Sequence, residues 1–106
     1  MSRRTTAIAA ALTVLALGCQ LNNENEVPLA TQYFNQGIHI YEQGNYQGAI
    51  ADYTKAIEIN PQYAVAYFNR GVAKELVNDL EGACRDWRKA ADFGLTEPAE
   101  WVKNQC

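Results

Sequence analysis

The chain has 106 residues, a formal charge of −3, 48% hydrophobic and 20% charged residues. That is room for at most one ordinary globular domain. Without Arg3 and Arg4 the balance is 7 basic against 12 acidic residues, so the clustered Lys and Arg that phosphate contacts need are missing, and no nucleic-acid partner is expected.

Residues 1–18 read as an address. Met-Ser-Arg-Arg precedes an uncharged apolar run from Ala7 to Leu17, followed by Gly18 and Cys19. A basic start, an apolar core of about 11 residues and a small residue before a cleavage point describe a secretory signal. The run is short of the roughly 20 apolar residues a membrane span needs. Leu15-Ala16-Leu17-Gly18-Cys19 resembles the bacterial lipobox, with Ala16 where Leu is preferred. The resemblance implies an exported lipoprotein whose Cys19 is acylated, held to the cell envelope by that lipid and facing the periplasm or exterior. Ordinary signal cleavage nearby or a retained hydrophobic anchor are the alternatives. Residues 19–29 then carry the lipid and a polar, non-periodic tether.

From Ala30 the chain repeats itself. A shift of 34 residues aligns Ala30 with Ala64 and Tyr33-Phe34-Asn35-x-Gly37 with Tyr67-Phe68-Asn69-x-Gly71. Gly48-Ala49 meets Gly82-Ala83, and Asp52, Lys55 and Ala56 meet Asp86, Lys89 and Ala90, making ten identities, with Tyr53 opposite Trp87. A fixed period of this length marks a stacked helical repeat. Helix A of each unit is expected over about 30–43 and 64–77, and helix B over about 46–59 and 80–93. Small residues (Gly37, Ala49, Gly71, Ala83) let the paired helices approach, and Tyr33, Tyr53, Tyr67 and Trp87 fill the wider gaps. Asn60-Pro61 ends the first helix B, because proline lacks an amide and disfavours helix at the residue before it. Gly94 ends the second, and Thr96 is expected to cap a last helix with Pro98 in its first turn and Trp101 and Val102 facing the second pair.

These positions resemble the tetratricopeptide-repeat family: Tyr33, Gly37, Gly44-Asn45-Tyr46, Ala49, Tyr53, Ala56 and Pro61 in the first unit, and Tyr67, Gly71, Leu80, Ala83, Trp87 and Ala90 in the second. Asn78 stands in place of a turn glycine and Leu95 in place of the closing proline. The resemblance implies an all-α fold, a right-handed α-solenoid of two helix-turn-helix repeats (30–63 and 64–97) with a capping helix over 98–106. Two repeats are few for an architecture stabilised by neighbour interfaces.

The cysteines offer a further tie. With Cys19 lipidated, Cys84 and Cys106 remain as a pair in an exported protein, and a bridge between them would close a loop of about 20 residues and contribute on the order of 3 kcal/mol. The alternative is Cys84 as a small buried hydrophobe, at the position Ile50 holds in the first repeat, with Cys106 free. No metal, cofactor or catalytic set is expected: His39 is the single histidine, and no nucleophile–base pair, phosphate loop or metal spacing accompanies it. Asp52 and Asp86 are expected on solvated faces, recurring because the scaffold recurs.

In the family, helix A lines a concave binding groove. Its exposed positions here would be Phe34, Asn35 and Ile38 in the first repeat and Phe68, Asn69 and Val72 in the second, an apolar stripe with amide donors suited to an amphipathic helix or extended peptide. The same side chains could instead pack helix A on helix A, or receive the tether. A carboxylate clamp of the tetratricopeptide type is disfavoured: Asn69 matches it, but Phe34 and Ile38 replace its first pair and a third helix A is not expected. The expected function is a non-enzymatic envelope adaptor for one protein partner, with a homodimer paired through the grooves as the rival.

Overall fold

The computed structural model describes residues 29–106. The signal segment 1–18, Cys19 and the tether through residue 28 lie outside the described residues. Five helices follow in order: α1 over 29–42, then α2 Tyr46–Ile59, α3 Ala64–Leu76, α4 Leu80–Asp92 and α5 Glu97–Gln105. Each lies within one residue of its expected span, and the described residues contain no strand. The fold is an all-α helical repeat solenoid in which α2 packs on α3, α3 on α4 and α4 on α5.

The 34-residue period is visible in the turns. Gly44 (φ +83°) and Asn78 (φ +68°) hold the left-handed conformation between the helices of each pair. Beyond each, the Asn45 amide donates to the Ile40 carbonyl at 3.2 Å and the Asp79 amide to the Lys74 carbonyl at 2.8 Å. These bonds satisfy carbonyls that a helix end leaves open. The following helices are capped alike: the Asn45 side chain accepts from the Gly48 amide and the Asp79 side chain from the Gly82 amide, both at 2.9 Å. After α4 the chain turns on Gly94 (φ +108°), with the Leu95 amide donating to the Ala90 carbonyl at 3.1 Å. Thr96 occupies the cap position of α5, but its side chain makes no capping bond and its backbone is already helical. Buried Pro98 in the first turn, which has no amide to satisfy, fills that role instead.

The pairs close on glycine. A methyl group at Gly37 would lie 2.6 Å from Tyr53 Cε1, and one at Gly71 would lie 2.5 Å from Trp87 Nε1. Both distances are too short for a real contact, so the aromatic of helix B seats directly on the helix A backbone. Tyr53 and Trp87 are 1% and 0% exposed. Trp87 Nε1 has no hydrogen-bond partner there, a desolvation cost accepted for the packing. Ala56, Ile57, Ala66, Tyr67 and Ala90 form the core between the repeats, and Ala83, Cys84 and Trp87 a second cluster under α5.

One expectation is corrected. Asp52 and Asp86 are not solvated; they are 9% and 3% exposed. Each lies one helical turn from Ala49 or Ala83 and from Ala56 or Ala90, on the inner face of helix B, and reaches the residue 16 positions earlier on helix A. Asp52 accepts from the Gln36 amide at 3.1 and 3.2 Å. Asp86 is held by Arg70 at 2.7 and 2.8 Å and by Lys74 at 3.0 Å. A burial of this kind needs partners, and the helix A side chains supply them.

The capping helix α5 lies where it was expected and continues the register of the first helices of the repeats. Continuing the 34-residue register places Pro98 at the position of Ala30 and Ala64, Trp101 at that of Tyr33 and Tyr67, and Cys106 at that of Ile38 and Val72. Trp101 packs edge-on against Phe68 and Trp87, each ring pair 5.2 Å apart, and Val102 packs on the α4 cluster. Because no helix B follows in the described residues, Trp101 stays 37% exposed where Tyr67 is 9% exposed. A disulfide joins Cys84 to Cys106, with Cα atoms 6.0 Å apart, and ties the end of α5 to α4.

Candidate functional site: the groove between α1 and α3

The successive first helices of the repeats, α1 and α3, border a cavity of about 360 Å³ lined by Ile38, Tyr41, Glu42, Tyr53, Phe68, Asn69 and Val72. Ile38, Tyr41 and Glu42 come from the last turns of α1, where spacing of three and four residues brings them to one face. Phe68, Asn69 and Val72 come from α3 by the same spacing. Tyr53 forms the floor. Burial raises the pKa of its hydroxyl above the ordinary tyrosine value, and the Asn69 side chain works against that shift. The wall is therefore largely apolar and aromatic, with one amide and one carboxylate at its edges. That combination accepts side chains and offers few polar groups for chemistry.

Of the six side chains expected in the groove, the cavity gathers Ile38, Phe68, Asn69 and Val72. Phe34 and Asn35 are not among its lining residues. Phe34 is half-buried, 5.7 Å from the Tyr53 ring and 5.1 Å from Tyr63, and packs against the inter-repeat core, as Phe68 also does. Asn35 is exposed. Phe68 divides its surface between the cavity and Trp101. Tyr41 and Glu42 were not anticipated, although they lie three and four residues after Ile38 and the helical period could have found them.

His39 is exposed on the outer side of α1, its Nε2 3.2 Å from Gln43 Nε2. No group of three or more metal-ligating side chains occurs among the described residues. None of the described helices is long and apolar enough to cross a membrane.

Residues 40–76 match a family model described as TPR repeat. The match takes in the end of α1, all of α2 and all of α3, hence the lining of the cavity except Ile38. It supports the resemblance to the tetratricopeptide family over about a third of the chain; the second helix pair's α4 and the cap α5 fall beyond it. No curated protein has a sequence that matches this chain. Repeats of this family generally mediate protein–protein interaction and are typically scaffolds, not enzymes. The apolar cavity between α1 and α3 has that character.

Proposed function

We propose that this chain is a binding adaptor of the bacterial cell envelope, exported, anchored through a lipid on Cys19, and holding one partner protein by an amphipathic helix or extended peptide. The observation that carries the binding half is the cavity between α1 and α3, whose apolar wall has Asn69 and Glu42 at its rim. An apolar side chain of the partner enters between Ile38 and Val72, and the rim groups orient the backbone beside it. The anchoring half rests on the sequence of residues 1–19, where a basic start, an apolar run and Gly18-Cys19 follow one another.

Three experiments test the reading. Crosslinking in intact cells followed by pull-down of the lipidated chain identifies the partner; Ile38→Glu with Val72→Glu should lose it while circular dichroism stays that of the parent. Retention of the same partner by a folded double variant would remove the groove from the mechanism. Cys19→Ala should abolish incorporation of an alkyne-labelled fatty acid and move the chain out of the membrane fraction. Sedimentation separates the adaptor from the groove-paired dimer, since a monomer at low micromolar concentration leaves the groove free for a partner.

A further inference from the structure

The disulfide between Cys84 and Cys106 lies in an unusual place for a purely internal staple. Cys84 is 6% exposed on α4, but Cys106 is exposed at the end of α5. Both line an open cleft of about 540 Å³ whose wall also carries Arg85 and Arg88. A cleft of this size admits an attacking sulfur along the face of α4. Two guanidinium groups outnumber the one carboxylate of that wall, Glu81, which lies 3.7 Å from Arg85, and the positive balance favours the thiolate form of both the attacking and the departing sulfur.

We propose that this bridge is a thiol–disulfide exchange site, at which a dithiol reductant unclasps α5 from the second repeat. A thiolate of the reductant attacks Cys106 Sγ, the accessible sulfur; the Cys84–Cys106 bond breaks and its electron pair leaves on Cys84 as a thiolate. The second thiolate of the reductant then attacks its own sulfur in the mixed disulfide and releases Cys106 as a thiolate. Two protons lost by the reductant's thiols are taken up by the two cysteines. The reductant ends as a disulfide, having given two electrons, and Cys84 and Cys106 end as thiols.

The consequence lies in what α5 covers. Nine residues are too few to persist as a helix without tertiary support. Apart from the bridge, that support comes from Pro98, Val102 and the half-open Trp101, which lies on Phe68 and Trp87. Phe68 and Val72 pack against the cluster under α5 and also line the α1–α3 cavity. Releasing α5 therefore lengthens the apolar wall of that cavity toward Trp87. The exchange itself does not depend on the groove being a binding surface; only the gain in binding area rests on the proposed function.

The test uses the full chain in its oxidised form and dithiothreitol as the dithiol. The only two tryptophans, Trp87 and Trp101, both lie at α5, so their fluorescence reports the clasp. Without denaturant, graded dithiothreitol should expose two thiols to maleimide labelling and raise acrylamide quenching of tryptophan about threefold, as expected for local opening of one small element. Helicity should fall by no more than the nine residues of α5, and reoxidation should restore all three signals. Cys106→Ser should show the reduced signature without dithiothreitol and no further response to it. Arg85→Gln with Arg88→Gln should slow native-state reduction about three- to tenfold at low salt.

Several outcomes overturn the proposal. Two free thiols before any reductant is added, or thiols that appear only with denaturant, would remove the exchange site. An unchanged tryptophan signal after both cysteines are labelled would show that α5 stays down without its clasp. Loss of helicity across α1–α4 on reduction would make the bridge a structural staple. An unaltered reduction rate in the double arginine variant would show that the cleft does not promote exchange and would overturn the site. None of these readouts involves a partner, so failure here is distinct from failure of the adaptor reading.

Discussion

Arg70 grips Asp86 with two hydrogen bonds, Nε to Oδ2 at 2.8 Å and Nη2 to Oδ1 at 2.7 Å, and extends a third from Nη1 to the Thr54 hydroxyl at 3.2 Å. The arginine thus joins its own repeat to the preceding one. Its hydrogen bonds to Asp86 raise its pKa further above the working range, so it is charged wherever the protein is folded. The first repeat has Gln36 and Asp52 at the same positions, with an uncharged amide in place of the guanidinium.

Those two versions predict unequal costs of substitution. Arg70→Gln recreates the arrangement of the first repeat and should cost about 1 kcal/mol, whereas Asp86→Ala leaves Arg70 and Lys74 facing each other without their shared carboxylate and should cost about 3 kcal/mol. Urea denaturation of the oxidised protein measures both. Equal losses would mean that an amide–carboxylate hydrogen bond of the first-repeat kind contributes nothing at this position.

The glycine contacts set a second expectation. Gly71→Ala forces its new methyl group against Trp87, 2.5 Å from Nε1 in the present packing, and should destabilise by about 1–3 kcal/mol. The near-ultraviolet tryptophan signal should change with it. Gly44→Ala meets no atom within 4 Å but keeps φ at +83°, so it should cost about 1 kcal/mol from backbone strain alone and leave that signal unaltered.

Tyr53 makes stability depend on alkaline pH. Burial raises its pKa in the folded state, so the folded protein holds the phenolic proton more tightly than the unfolded chain. The corresponding stabilisation is complete below the unfolded value near pH 10 and is lost as pH rises through the raised folded value. Tyr53→Phe should flatten the decline of stability with pH above about 10, measured by urea midpoints at pH 8 to 11. A parallel decline in the variant would assign the effect to other groups.

The ring contacts of Phe34 separate it from Val72. Phe34 is half-buried beside Tyr53 and Tyr63, so Phe34→Ala should cost about 2 kcal/mol. Val72→Ala removes less buried surface and should cost about 1 kcal/mol. Thermal melts of the two variants distinguish an aromatic packed on the core from a residue that divides its surface between core and cavity.

The repeat, its helix spans and its turns follow from the sequence, because each depends on neighbours within a few positions and on a period that two copies display. Gly37 opposite Tyr53 and Asn78 in the turn are examples: the residue type alone meets the local backbone or contact requirement. The fate of Phe34 and Phe68 was decided only by tertiary structure. They are the same residue at the same repeat position and both pack against the inter-repeat core, yet of the two only Phe68 also lines the cavity and meets Trp101. Their difference comes from what stacks beside them, which no local pattern encodes. Likewise the burial of Asp86 required Arg70, Lys74 and Asp86 to meet across two helices, and a charged residue gains that place only when its partners arrive with it.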